Sequence, residues 1–145
     1  MKNVPSICVT ETNQSVIKFE EKKSVIKFNN PQRLTYKRVA VDGCALKEGV
    51  KCDNLLCSAD EQEERYVELK GQNIKHAIEQ LATTIVKLGE NDSQRYAYVA
   101  CTKVAPQIRT DIQTAQLRFK RLFNSSLVIK SSPVFTTDYY SIFYR

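Results

Sequence analysis

The chain has one histidine, no Cys-x-x-Cys pair, only four glycines and four prolines in 145 residues, and no long apolar run. Each scarcity excludes something. Zinc knuckles use short, paired Cys or His spacings, which one histidine and five scattered cysteines (Cys8, Cys44, Cys52, Cys57 and Cys101) do not supply. Most of those cysteines sit among Val, Leu and Ala, where a reduced thiol behaves as a small hydrophobe; the expectation is five buried, reduced cysteines. No window approaches the roughly 18 apolar residues that span a bilayer. Met1-Lys2-Asn3-Val4-Pro5 lacks the apolar core of a signal peptide. A soluble, cytoplasmic protein with no membrane attachment is expected. An apolar fraction of 42% with so little Gly and Pro marks a chain that folds. The length suits one domain, stable without disulfides or a structural metal.

The net charge of +6 conceals a pattern. Residues 1–51 carry ten bases and five acids, residues 52–92 four bases and nine acids, and residues 93–145 eight bases and two acids. Basic flanks attract polyanions such as nucleic acid, and an acidic middle suits divalent cations. An ordinary, mildly basic protein has the same totals, so charge alone leaves both open.

Ser15-Val16-Ile17-Lys18-Phe19 recurs as Ser24-Val25-Ile26-Lys27-Phe28 across the charged run Glu20-Glu21-Lys22-Lys23. Both copies are β-branched and alternating, which predicts two strands of one hairpin, about 15–29. Strands are expected over Tyr36–Cys44, with a turn at Asp42-Gly43, and over about Val50–Cys57. After a polar loop over Ser58–Glu64, alternation predicts a strand over Arg65–Lys70, with Val67 and Leu69 on one face and Tyr66, Glu68 and Lys70 on the other. Ile74, Ile78, Leu81, Ile85 and Leu88 form one stripe of a helix over about 73–88, with Asn73 as N-cap. Tyr96–Val104 reads as a strand, and Pro106 opens a second helix. Ile108, Ile112, Ala115, Phe119 and Leu122 form its buried stripe, and Arg109, Arg118, Lys120 and Arg121 fall away from it. Ser126–Lys130 and Tyr140–Tyr144 are expected late strands. The order β-β-β-α-β-α predicts an α/β sandwich around a mixed sheet.

Glu-x-Lys is common: at roughly 6% for each residue it arises by chance in about every second protein this long. This chain has three. Glu20/Lys22 and Glu21/Lys23 lie in an exposed turn. Glu68/Lys70 interrupts a strand that leads into an amphipathic helix, where burying two charges is costly unless they are paired. Residues i and i+2 of a strand project the same way, and Asp53 on the preceding strand can converge with them. Two carboxylates and one backbone carbonyl make a hard oxygen site suited to Mg²⁺, beside a lysine that can orient water. The bland alternative is a buried ion-pair network.

Asp53-x14-Glu68-x-Lys70, followed by the helix Asn73-Ile74-Lys75-His76-Ala77-Ile78-Glu79-Gln80-Leu81, resembles the PD-(D/E)xK nuclease superfamily of restriction endonucleases, Holliday-junction resolvases and nucleases of bacterial antiviral defence. The resemblance spans residues 37–104. It implies a restriction-endonuclease-like α/β fold: a mixed central sheet flanked by helices, here with an added N-terminal hairpin, followed by a basic helix and C-terminal strands over 106–145. It implies a Mg²⁺-dependent endonuclease, with Mn²⁺ as substitute, in which Asp53, Glu68 and the Leu69 carbonyl hold the ion and Lys70 positions water. Cys52 stands where the family has Pro. No helix bearing an acid precedes Asp53, so Glu11, Glu20, Glu21 and Asp42 stay open as candidates for a second metal position. Gln80 invites comparison with a helix glutamine of some nuclease subfamilies, but helical geometry sets it with His76, Thr83 and Lys87 opposite the stripe, which predicts exposure. The basic residues of the second helix are either a solvated face or phosphate contacts.

The expected function is hydrolysis of phosphodiester bonds in DNA, in restriction, resolution or antiviral defence. A homodimer or larger assembly is expected, because one such site cuts one strand. The repeated strands and the aromatic tail over 139–144 are candidate contact surfaces. Two rivals stand: a catalytically silent nucleic-acid-binding or assembly subunit of the same fold, and an unrelated α/β interaction protein in which Asp53 lies far from Glu68.

Overall fold

The computed structural model describes residues 1–70 and 73–136, and of Lys70, Phe135 and Thr136 the backbone alone. In chain order the elements are β1 (Val9–Thr12), β2 (Val16–Glu21), β3 (Ser24–Asn29), β4 (Tyr36–Ala40), β5 (Asn54–Ser58), β6 (Glu63–Lys70), α1 (Ile74–Leu88), β7 (Gln94–Cys101), α2 (Arg109–Phe123), β8 (Ser125–Ser131) and β9 (Val134–Thr136). Short 3-10 turns stand at Ser6–Cys8 and Pro106–Ile108.

Six strands form one mixed sheet in the order β1-β4-β5-β6-β7-β8. The pairings from β1 to β6 are antiparallel, and β6, β7 and β8 run parallel. Parallel neighbours need crossover connections, and α1 and α2 supply them. Both helices bury their stripes on the same face, where Ile74, Leu81, Ile85, Leu88 and Phe119 pack with Val39, Leu55, Tyr66, Val99 and Leu127. On the opposite face Leu56, Val67, Leu69 and Tyr98 meet Ile17, Phe19, Ile26 and Phe28 of a second sheet, ordered β2-β3-β9. The protein is therefore a mixed α/β fold of three layers: helices, a six-stranded sheet and a three-stranded sheet. Alternation along β6 serves two cores at once: Val67 and Leu69 face the small sheet, while Tyr66 and the glutamates on its face point toward the helices.

The repeated pentapeptide has a packing reason. Ile17 pairs with Phe28 and Phe19 with Ile26, so both copies deliver one Ile and one Phe to the same interlayer core, each nearly inaccessible. The hairpin is thus core, and its inward face is not available as a contact surface between copies.

Several boundaries differ from expectation. The four-residue β1 and three-residue β9 are additional edge strands. β4 ends at Ala40 and β5 begins at Asn54, so Asp53 lies just outside its strand. Pro106 opens a 3-10 turn rather than α2 itself. Leu122 is 60% exposed, and Phe123 takes its place by packing edge-on against Phe119 at 5.2 Å between centroids. The expected strand Tyr140–Tyr144 and the aromatic tail lie outside the described residues. Nor are all cysteines reduced. Cys8 and Cys44, with Cα atoms 5.7 Å apart, form a disulfide, which ties the first 3-10 turn to the β4–β5 loop; Cys52, Cys57 and Cys101 are free and buried. Among the described residues no helix is long and apolar enough to cross a membrane.

Candidate active site

β5 and β6 pair in the register Asn54 with Val67 and Leu55 with Tyr66. One step beyond that ladder sets Asp53 opposite Glu68, on the helix-facing side of the sheet. The Leu69 N–H donates to Asp53 Oδ2 at 2.9 Å, so the aspartate carboxylate is anchored to the residue next to Glu68. Glu68 is 2% exposed. Burial pushes the Cys52 thiol up to about 12, and the negative charges of Glu68 and Asp53, both near that thiol, add to the rise. Lys70 closes β6 in register with Cys101, and its side chain lies outside the described part of the structure. Asp53 and Glu68 are thus brought together, and the Lys70 backbone ends the same strand.

The segment before β5 is clamped by groups that sequence patterning did not single out. The Cys52 N–H donates to Thr84 Oγ1 at 2.8 Å, and that hydroxyl donates in turn to the Gln80 carbonyl at 2.7 Å. Gln80 Nε2 donates to the Lys51 carbonyl at 2.9 Å. From the other side, the N–H groups of Val41 and Asp42 donate to the Asp53 carbonyl at 3.1 and 3.3 Å. Residues 51–53 are therefore gripped by α1, by the end of β4 and by β6 together. Gln80 is half-buried rather than solvated, because the β4–β5 loop folds back over α1. Its Oε1 is buried and meets no hydrogen-bond donor among the described residues. His76 is exposed, and its backbone N–H donates to the Asn73 side chain that caps α1, at 3.1 Å.

At the other end of β6 a second carboxylate is buried. Glu64, inaccessible to solvent, accepts from Arg95 Nε at 3.0 Å, the Tyr66 hydroxyl at 3.2 Å and the Glu90 N–H at 3.2 Å, and pairs with the Met1 ammonium at 3.0 Å. Four donors on one carboxylate make that end a structural anchor.

Lys120 and Arg121 of α2 lie away from the carboxylates. α2 starts at the end of the sheet where β6 and β7 finish: near its start Asp111 pairs with Lys75, in the first turns of α1, at 3.5 Å. It finishes beside Arg95 at the start of β7, whose Nη1 donates to the Phe123 carbonyl at 2.7 Å. At 1.5 Å per residue, Lys120 and Arg121 are about 17 Å along the helix from Arg109, beside the Glu64 anchor. Of the four expected phosphate contacts, Arg109 lies at the end of the sheet that carries Asp53 and Glu68, and Lys120 and Arg121 lie at the other. Arg118 lines a groove of about 590 Å³ between the helices, with Lys75 and Asp111.

A divalent ion fits the chemistry of this donor set. Asp53, Glu68 and the Leu69 carbonyl offer oxygen only, as Mg²⁺ and Mn²⁺ prefer. Among the described residues no group of three or more His, Cys, Asp and Glu side chains is placed to hold a metal, so the set relies on the carbonyl and water for completion. No protein family matches this chain, and neither does any curated protein or solved structure.

Proposed function

We propose that this protein is a metal-dependent nuclease of the restriction-endonuclease-like class, hydrolysing phosphodiester bonds in DNA. The observation that carries the reading is the hydrogen bond from the Leu69 N–H to Asp53 Oδ2, which sets one carboxylate against the strand that bears the other. The order β4, β5, β6, α1, β7 around that point supports it, as does the oxygen-only donor set. Asp53, Glu68 and the Leu69 carbonyl would hold Mg²⁺, with Mn²⁺ in substitution. When bound, the ion supplies Lewis acidity toward the scissile phosphate and acidifies a water.

The chain's own residues do the positioning. Asp53 is fixed at both its backbone and its carboxylate, so it loses little entropy on ligation. Glu68 is held in a nearly dry environment, where its charge acts more strongly than in water. Lys70, next but one along the same strand, is assigned the orientation of the attacking water and the offset of charge in the transition state. One such site cuts one strand, so a double-strand break calls for a second copy.

Supercoiled plasmid tests the reading. Nicked circles should accumulate with Mg²⁺ or Mn²⁺ and not in EDTA, and linear product should appear with them if two sites act together. Glu68→Gln should lose about a hundredfold or more of the rate while keeping its circular dichroism and melting. Cleavage by that variant at the native rate would remove Glu68 from the site.

A further inference from the structure

We propose that the β2–β3 turn, through Lys22 and Lys23, is a phosphate-contacting surface for duplex DNA at the end of the molecule that carries Asp53 and Glu68. The inference rests on the nuclease reading and specifies where the substrate lies. It starts from a chain of contacts. Lys70, Cys101 and Ser131 stand on one rung at the ends of β6, β7 and β8. The next residue, Ser132, donates its N–H to the Cys101 carbonyl and its hydroxyl to the Lys23 carbonyl at 3.0 Å, while the Val25 N–H donates to that hydroxyl at 2.9 Å. The small sheet is thereby pinned with its turn at the finishing end of the parallel strands. With strands about 4.8 Å apart, Lys23 lies about 15 Å from Lys70, roughly four base pairs of duplex at 3.4 Å each.

The turn is also an unusual place for lysine. Glu21 pairs with Ser24, which leaves Lys22 and Lys23 as a two-residue loop, and Lys22 has φ of +52°. Gly, Asn or Asp adopts that conformation more cheaply. Glu20, beside the turn, is engaged by Lys18 at 3.8 Å. Lys22 and Lys23 are exposed, as are Lys103, Lys130 and Arg109 at the same end of the sheet. None of these five forms an ion pair with a described residue. Together they place five cations at the end of the sheet that carries Asp53 and Glu68, whereas Lys120 and Arg121 of α2 sit at the far end.

Anisotropy of a labelled DNA duplex across a salt series, in EDTA so that no cleavage intervenes, decides the matter. For the Lys22→Gln/Lys23→Gln double variant the plot of log affinity against log salt should flatten by about 1.8, at 0.9 per phosphate contact, with roughly tenfold or more weaker binding near 0.1 M salt. Lys120→Gln/Arg121→Gln should keep the native slope. A native slope in the turn variant, or a loss confined to the α2 variant, overturns the proposal and leaves the nuclease reading standing. If the native protein binds no duplex at any salt, this proposal falls, and the plasmid assay with metal judges the nuclease reading separately.

Discussion

The Cys52 thiol is pushed up to about 12 by burial first and by the Glu68 and Asp53 charges second. Cys57 rises to about 12, and Cys101 also rises, both chiefly by burial. Thiolate is the reactive form, so these three stay neutral and inert at pH 8 in the folded protein. The expected outcome of thiol counting with a coloured disulfide reagent is none in the native state, three after denaturation without reductant and five after reduction. Five without reductant would show that Cys8 and Cys44 are unlinked. Nothing in the sequence distinguished that pair: its partners are 36 residues apart and sit among the same small apolar neighbours as the rest. Only the fold brings a 3-10 turn near the N-terminus against the loop after β4. Such a bond persists in oxidising surroundings, so the thiol count also bears on the compartment in which the protein works.

At the scale of elements, α1 is both a core helix and a clamp. Its stripe was legible because Ile74, Ile78, Leu81, Ile85 and Leu88 recur at helical spacing, and all five are buried. Its second task was not, since Thr84 and Gln80 reveal their partners only when the β4–β5 loop folds back onto the helix. Thr84→Val keeps the shape and removes the acceptor of the buried Cys52 N–H, which should cost about 1–3 kcal/mol in urea denaturation. It should also loosen Asp53 and lower metal affinity by about tenfold or more. Thr84→Ser, which keeps the hydroxyl, should restore both. Native-like stability and metal affinity in the Val variant would show that the clamp is idle. β1 and β9 escaped the sequence for a related reason. They are too short to show alternation, and their partners are remote: Val9 pairs with Val39 and Val134 with Ile26.

The whole molecule has two ends with different chemistry, and the sequence hides which residues fall at which. At one end Glu64, Arg95 and the Met1 ammonium satisfy one another; at the other, Asp53 and Glu68 are set side by side. Helical periodicity showed correctly that Arg118, Lys120 and Arg121 face outward. It could not show that α2 carries the last two away from the site, because that depends on the direction of β7 and β8. The reverse holds for Lys22 and Lys23, whose surface turn came to the site's end through contacts more than 100 residues apart in sequence. The placement of Asp53 opposite Glu68 was legible because one strand pairing, β5 with β6, suffices to set them across from each other.

The central claim is that Asp53 and Glu68 hold a divalent ion between them. Anomalous diffraction from crystals soaked in Mn²⁺ measures this without reference to turnover. The account predicts a peak about 2.0–2.6 Å from an oxygen of each carboxylate, lost in Asp53→Asn. Crystals showing no Mn²⁺ there, with the two carboxylates closed by protein cations alone, would contradict it.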